Sequence, residues 1–280
     1  MFDAIVEVFR ESGRAIPVFN DKHLSWNMDW AQEMCETALE LGFLLFAGSS
    51  IPLCPLEPEI HIPPDTGIEE AVVLFFGPDE SYGFHSLEFF QAIYERTLQR
   101  YQNISGVTAW RGDEVWKQME AGTWSEELFD AALAAVDPES GQVCDGDYRV
   151  NCGSNEKSPA AFQLMYQEDL LVTHVNMTGH LKTWAVAMRL ENGEIVAAYP
   201  RVLGADLFHP HFAALSELID TTFCTGRAPH ALQRSMCTTG AVAAFMRALE
   251  KPGVTLPAPD LCHPYNFGPC ARWRPRKRKT

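Results

Sequence analysis

Two segments decide the predicted fold: AIPVFNDKHL at residues 15–24 and GFLLFAGSS at residues 42–50. Each has a short apolar run followed by polar residues, which is typical of a buried strand that ends at a sheet edge. Between them, apolar residues recur at helical spacing, and Gly42 is a typical helix stop. Two such strands joined by a helix predict a parallel βαβ unit with a right-handed connection.

The rest of the chain follows a different pattern. Residues 55–67 are predicted to be a connector, because five prolines between positions 52 and 64 cannot continue a helix or a central strand. Residues 68–258 are predicted to form an α+β domain with an open, mainly antiparallel sheet backed by helices, in which Asn192-Gly193 is a strong hairpin signal. Within that domain, the polar residues 137–159 are expected to form a mobile loop.

Charge is distributed unevenly along the 280 residues, whose net charge is −15. The last nine residues hold six of the 22 Lys and Arg, so the body carries 16 bases against 37 acids, or −21. Such an acidic body repels phosphates, which argues against nucleic acid and membrane surfaces as partners. Residues 259–280 are predicted to be a basic disordered tail, in which RPRKRK at 274–279 is a solubilising segment, a nuclear-localisation signal or a nucleic-acid patch.

Targeting and redox signals favour a cytoplasmic protein. No apolar run reaches eighteen residues, and the N-terminus lacks the features of a signal peptide. The eight cysteines form no CxxC pair, which fits reduced thiols. Cys262, His263 and Cys270 are a weak zinc pattern without a second half, so no metal site is predicted.

Several sequence motifs are missing. The chain contains no GxGxxG and no GxxxxGK[ST], which are the fingerprints of phosphate binding at a helix N-terminus. It also lacks the GxSxG elbow and the HExxH motif. An enzyme that binds a nucleotide by itself is therefore disfavoured.

Polar side chains follow both predicted parallel strands. Asp21, Lys22 and His23 follow the first strand, and Ser49 and Ser50 follow the second. Because neighbouring parallel strands end at the same edge, where ligands bind in α/β sheets, these groups are expected to lie together. The lysine could donate a proton if burial lowers its pKa, and the hydroxyls could hold a polar ligand. The alternatives are a loop that caps the next helix and a simple turn.

A third polar group lies on the long helix predicted for residues 85–101. His85, Glu88, Gln91 and Glu95 are spaced by three, three and four residues, which places them on one helical face. Such a stripe could supply acid–base groups or metal ligands, or it could be a solvated face. The surrounding residues are strongly apolar, which favours a stripe that lines a cleft.

The order of these segments resembles the Gfo/Idh/MocA oxidoreductase family. In that family a strand ends in Glu-Lys-Pro, where this chain has Asp21, Lys22 and His23, and a helix and a second strand follow. Further similarity lies in YGFHSLE at 82–88, TGRAP at 225–229 and GVTLP at 253–257. The resemblance implies that residues 1–54 are a partial Rossmann-like layer without the glycine-rich half, from a natural truncation or an incomplete gene model.

The resemblance also implies an oxidoreductase-like function. Lys22 matches the family's active-site lysine and His85 its catalytic histidine, which assist proton transfer while NAD(P) exchanges hydride. Without the glycine-rich half, NAD(P) is expected to bind only if that half is supplied. The substrate is expected to be a small polar, carbohydrate-like molecule. The predicted substrate-binding residues are Asp21, His23, Ser49, Ser50, Glu88, Gln91 and Glu95.

Two other functions stay open. One is a non-catalytic binding or assembly module that forms a homo-oligomer through the open sheet. The other is a metal-dependent lyase or hydrolase built on His85, Glu88 and Glu95. In the oxidoreductase-like case, Glu88 is expected to fix the imidazole of His85 or to raise its pKa.

Overall fold

The computed structural model describes residues 1–63, 66–98, 103–154, 158–166, 169–203 and 209–258. The basic tail and the cysteine–histidine cluster predicted within residues 259–280 lie outside the described residues. No helix within the described residues has the length and apolar character needed to cross a membrane.

The N-terminal layer consists of two helices and two strands: α1 (Phe2–Ser12), β1 (Val18–Asp21), α2 (Met28–Leu41) and β2 (Leu45–Gly48). The strands pair in parallel, with Asp21 opposite Gly48. The side chain of Asn27 caps α2, and Gly42 ends it in the left-handed conformation. The apolar run begins at Ala15, but β1 begins three residues later, at Val18. The strand extends to Asp21 because Val18 to Asp21 are the residues that pair with β2.

The proline-rich connector contributes to the large sheet. Ile51–Leu53 form a short 3₁₀ helix, and β3 (Leu56–Glu57) pairs antiparallel with the penultimate strand of the chain. Proline is tolerated there because an edge strand has one side without ladder hydrogen bonds. The connector prediction therefore missed a short edge strand.

The large sheet has eight strands in the order β10-β5-β6-β7-β4-β8-β9-β3. Every neighbouring pair is antiparallel except β4–β7, which confirms the predicted mixed fold with a mainly antiparallel sheet. The strands are β4 (Ile68–Phe75), β5 (Ile104–Arg111), β6 (Ala160–Tyr166), β7 (Leu171–Asn176), β8 (Ala185–Leu190), β9 (Ile195–Pro200) and β10 (Leu256–Pro257).

Helices cover both faces of this sheet. The helices that follow the N-terminal layer are α3 (Asp79–Leu98), α4 (Asp113–Glu120), α5 (Glu126–Ala135), α6 (Tyr148–Gly153), α7 (Pro210–Thr225) and α8 (Leu232–Leu249). Of these, α7 packs against the 3₁₀ helix at 51–53 and the N-terminal layer rather than on the large sheet. On one face, Phe162 of β6 stacks on Phe245 of α8 with ring centroids 4.3 Å apart. On the other face, Trp116 of α4 and Phe129 of α5 pack onto the sheet, together with Trp124 from the turn between these helices.

The sheet is open only in that it does not close into a barrel, and among the described residues helices pack on both of its faces. One prediction is corrected by the packing on the second face. The mobile loop predicted at 137–159 contains α6, which Asp147 caps through the N–H groups of Arg149 and Val150. Cys152 of this helix is completely buried. The short helix was missed because its periodicity covers less than two turns.

Candidate functional site

The ends of β1 and β2 place Lys22 beside Gly48. The backbone N–H of Lys22 donates to the carbonyl of Gly48 at 3.2 Å, and the ammonium group forms an ion pair with Asp21. Lys22 has a φ of 69°, a conformation that costs a non-glycine residue about 1–2 kcal/mol. Its side chain is 34% exposed, so the lysine is only partly buried.

Ser49 links the second strand to the long helix α3. Its Oγ lies 2.7 Å from Nδ1 of His85 and also accepts the backbone N–H of Ile51 at 3.0 Å. The serine is buried, with 8% of its surface exposed. This hydrogen bond holds the imidazole in one orientation at the edge where β2 ends.

The imidazole of His85 is neutral at physiological pH. Burial, together with the positive charge of Lys22, lowers its pKa to about 4, although Asp21 acts in the opposite direction. The rings of Tyr82 and Trp184 stand edge-on to the imidazole, with centroids 5.8 and 5.7 Å away. A neutral imidazole held in this way can accept a proton from a ligand hydroxyl.

Ser50 has a histidine partner that the sequence interpretation missed. Its Oγ lies 2.9 Å from Nδ1 of His211, which comes from the first turn of α7. Burial lowers the pKa of His211, and the neighbouring His209 lowers it further. Two serine–histidine pairs therefore lie side by side where β2 ends. No spacing in the sequence could indicate the second pair, because its members are 161 residues apart.

His23 packs against the start of α3. Its Nε2 lies 3.4 Å from a carboxylate oxygen of Glu80, and its ring contacts that of Phe84 at 5.7 Å. Burial lowers the pKa of His23, although Glu80 opposes that shift. Its Nδ1 has no hydrogen-bond partner among the described residues. His23 therefore joins the end of β1 to the helix that carries His85.

The other three residues of the predicted stripe surround Arg234 of α8. Glu88 accepts from the guanidinium at 2.7 Å, and Glu95 accepts from its Nε at 2.8 and 3.1 Å. Gln91 donates to Glu95 at 2.9 Å and accepts from Tyr166 at 3.3 Å. The side chains of Glu88 and Arg234 are only 3% and 5% exposed, so this is a buried ion-pair network.

This network corrects two expectations about Glu88. The carboxylate pairs with Arg234 and is not among the groups that shift the pKa of His85, which falls rather than rises. The metal site built on His85, Glu88 and Glu95 is also unsupported, because the two carboxylates already neutralise a guanidinium. The described part of the chain holds no group of three or more His, Cys, Asp or Glu arranged to bind a metal.

Acid should destabilise the fold through its buried neutral histidines. Burial lowers the pKa of His174 to about 3, so the unfolded chain binds the proton first and stability falls as pH drops below 6.5. This contributes about 2 kcal/mol of lost stability at about pH 5. His85 and His230, each with a pKa of about 4, shift in the same direction.

Urea unfolding at about pH 8 and about pH 5 tests this expectation. The His174→Asn variant should lose about 2 kcal/mol less stability on acidification than the wild type does. His61→Gln is the matched control, because the side chain of His61 is 83% exposed. An equal loss in the wild type and in His174→Asn would contradict the assignment.

The comparisons with known proteins identify the fold. No family model and no curated protein matches the sequence. GenD2 from gentamicin A biosynthesis, solved in complex with NAD, is similar with a TM-score of 0.56 and 11% identity over 91% of this chain and 75% of that one. The chain has a partial fold of the Gfo/Idh/MocA type. A probable dehydrogenase from Thermotoga maritima has the same TM-score and identity, over 93% of this chain and 77% of that one.

A further Gfo/Idh/MocA-type match is the apo scyllo-inositol dehydrogenase from Lactobacillus casei. It has a TM-score of 0.50 and 10% identity over 90% of this chain and 75% of that one. The resemblance found in the sequence is therefore confirmed at the level of the fold. At these identities the comparison establishes the Gfo/Idh/MocA fold and leaves the roles of individual residues to the geometry.

The described residues do not fit a complete dinucleotide. Pyrophosphate binding in Rossmann-type sheets needs backbone N–H groups at a glycine-rich turn between a strand and a helix. Here β1 leads to α2 through His23 and Asn27 without a glycine, and β2 leads into the proline-containing 3₁₀ helix at 51–53. The strand ends present a lysine, two serines and two histidines but no phosphate cradle.

Proposed function

We propose that the chain is an oxidoreductase-like protein that binds a small polyhydroxylated molecule where β1 and β2 end. The proposal rests chiefly on the 2.7 Å contact between Ser49 and His85. That contact joins the second strand to α3, while Lys22 is tied to Gly48 at the same edge. It is supported by the Gfo/Idh/MocA-type fold, which the chain shares with dehydrogenases.

In this proposal His85 is the proton acceptor. Because its pKa is about 4, the imidazole is neutral at physiological pH and can take a proton from a ligand hydroxyl. Ser49 orients the ring, and the ammonium group of Lys22 stabilises the oxygen that loses the proton. Asp21 holds that ammonium group through the ion pair. Lys22 and His85 are thus the catalytic residues of the proposed site.

The remaining groups at the strand ends bind the ligand. Ser50, His211 and His23 offer a hydroxyl and two imidazoles, which suit the several hydroxyls of a polyol. A carbohydrate-like ligand is further supported by the scyllo-inositol dehydrogenase among the structural neighbours. Glu88, Gln91 and Glu95 are left out of this role because Arg234 engages both carboxylates and Gln91 bonds to Glu95.

The proposed reaction also requires NAD(P). The cofactor would accept or supply hydride, but without a glycine-rich turn the chain would hold it only weakly, so turnover by the chain alone would need millimolar NAD(P). The sequence lacks GxGxxG, and its net charge of −15 repels the pyrophosphate. The chain alone is therefore proposed to bind NAD(P) weakly.

Calorimetric titration tests both halves of the proposal. NAD+ and NADP+ should show no saturation up to about 1 mM, whereas scyllo-inositol or myo-inositol should bind with a Kd of about 1 mM. Ser49→Ala should weaken polyol binding about tenfold, because it frees the imidazole and removes a hydroxyl. Ser216→Ala is the control, since Ser216 is exposed and bonds only locally to Phe212.

The proposal of weak NAD(P) binding and the proposal of a polyol site can each be contradicted separately. Micromolar affinity for either dinucleotide would overturn the proposed cofactor dependence. Absence of saturable polyol binding, or equal binding by wild type and Ser49→Ala, would overturn the proposed ligand site.

A further inference from the structure

Tyr82 has an accessible hydroxyl beside the proposed proton acceptor. It lies three residues before His85 on α3, so the two side chains share one face of the helix. Their rings meet edge to face, with centroids 5.8 Å apart and an interplanar angle of 85°. Tyr82 is half-buried, and its hydroxyl is accessible and has no hydrogen-bond partner among the described residues. The phenol is therefore available to a ligand that reaches the imidazole.

The imidazole of His85 also has an accessible polar atom. Ser49 engages its Nδ1 at 2.7 Å, whereas its Nε2 is accessible and has no hydrogen-bond partner in the described part of the chain. A phenolic hydroxyl can both donate and accept a hydrogen bond, and an imidazole nitrogen can do one or the other. Two adjacent rings can thus bind two hydroxyls of one molecule.

Aromatic packing fixes the ring of Tyr82. The ring of Trp184, the residue directly before β8, stacks on it with centroids 5.5 Å apart and an interplanar angle of 14°. Phe76 stands edge-on to both rings, with centroids 4.9 and 5.0 Å away. Trp184 is only 5% exposed, so it anchors the tyrosine to the core. A ring that is already ordered loses little conformational freedom when its hydroxyl binds a ligand.

Gly77 makes this packing possible. It has a φ of 85°, and a Cβ atom at this position would lie 2.6 Å from Cγ of Tyr82, so a larger residue would displace the ring. The backbone N–H of Gly77 donates to Oγ1 of Thr178 at 2.8 Å, and its carbonyl accepts from Asn176 at 2.9 Å. These contacts fix the base of the tyrosine ring, and the hydroxyl is at the opposite end.

We propose that Tyr82 is a substrate-binding residue whose hydroxyl hydrogen-bonds to a second hydroxyl of the polyol, next to the hydroxyl that His85 deprotonates. This inference rests on the proposed function, because it assumes that the polyol binds beside His85. It extends the site from the ends of β1 and β2 onto the first turn of α3. The favoured ligands are molecules with at least two hydroxyls, since a monohydric alcohol would engage only one of the two rings.

Tyr82→Phe tests the inference because it removes the hydroxyl and keeps the ring. Calorimetric titration should show that this variant binds myo-inositol about threefold to tenfold more weakly than the wild type does. Unchanged thermal unfolding would show that the aromatic packing is intact. Tyr148→Phe is the matched control, because Tyr148 packs against Trp116 and Phe129 on the other face of the large sheet. Its affinity for myo-inositol should equal that of the wild type.

Deoxy-inositols, each lacking one hydroxyl, distinguish direct contact from an indirect effect. One of them should lack the hydroxyl that Tyr82 contacts, and it should bind the wild type about threefold to tenfold more weakly than myo-inositol does. Its affinity for Tyr82→Phe should equal its affinity for the wild type, because the same hydrogen bond is already absent.

Two results would overturn this inference and leave the polyol site of Ser49 and His85 standing. The first is equal affinity of wild type and Tyr82→Phe for myo-inositol, or an equal loss in Tyr148→Phe. The second is a full effect of Tyr82→Phe on every deoxy-inositol, which would mean that the hydroxyl acts without touching the ligand. Absence of polyol binding by the wild type would instead overturn the proposed function and this inference together.

Discussion

Replacing Arg234 with alanine is expected to lower the free energy of unfolding by about 3–5 kcal/mol, a large part of the stability of a typical domain. The reason is that Glu88 and Glu95 would remain buried without their shared partner. Removing one member of a buried ion-pair network leaves an uncompensated charge in a region that water reaches poorly. Chemical denaturation followed by circular dichroism measures the change.

Arg96→Ala provides the control for this prediction. Arg96 is on α3 near the same carboxylates, but it is exposed and donates to the backbone carbonyl of Pro52. Its loss should cost less than about 1 kcal/mol. A triple variant with Arg234→Met, Glu88→Gln and Glu95→Gln should recover most of the stability, because it removes all three charges. A loss below about 1 kcal/mol in Arg234→Ala would show that water already solvates the network.

His85→Ala and Lys22→Ala are each expected to lower the rate of polyol oxidation by about 100-fold, measured with millimolar NAD(P). The first variant removes the proton acceptor, and the second removes the positive charge beside the oxygen that loses the proton. In both variants the fold should persist, because Lys22 is partly exposed and His85 lies at the edge of the core. Absorbance of the reduced cofactor follows the rate.

Exposed residues of the same types serve as controls for the rates. His61→Ala and Lys251→Ala should leave the rate unchanged, since His61 is 83% exposed and Lys251 is also on the surface. A His85→Ala rate within about twofold of the wild type would remove this histidine from the mechanism. If the wild-type protein shows no turnover with any polyol or dinucleotide, the proposed oxidoreductase-like activity is wrong.

Local signals account for what could be predicted about the fold. The hairpin at Asn192-Gly193 is present between β8 and β9, and Gly193 has the positive φ of 81° that such a turn requires. The parallel pairing of β1 with β2 also follows from their apolar runs and the intervening helix. These features depend on residues that are close in sequence, so periodicity and turn chemistry are enough to indicate them.

The partners of the polar residues depend on contacts between distant segments. Glu88 meets Arg234 across 146 positions, and Ser50 meets His211 across 161. Helical spacing correctly placed His85 and Glu88 on one helix, but it could not show that Glu88 faces α8 while His85 faces Ser49. An arginine within the mainly small and apolar α8 was the one available signal for the network, because such a charge is rarely buried without partners.

The sequence by itself determined that two short strands are joined by a helix and that polar groups lie near the ends of those strands, because apolar periodicity and turn chemistry depend on neighbouring residues. Only the tertiary structure decided which of those groups share a site. The packing of α3, α7 and α8 against β2 selects Ser49 for His85, Ser50 for His211 and Arg234 for the carboxylates of α3. The physical reason is that a buried polar group must find its partner in space, and the helix that supplies the partner can come from anywhere in the chain.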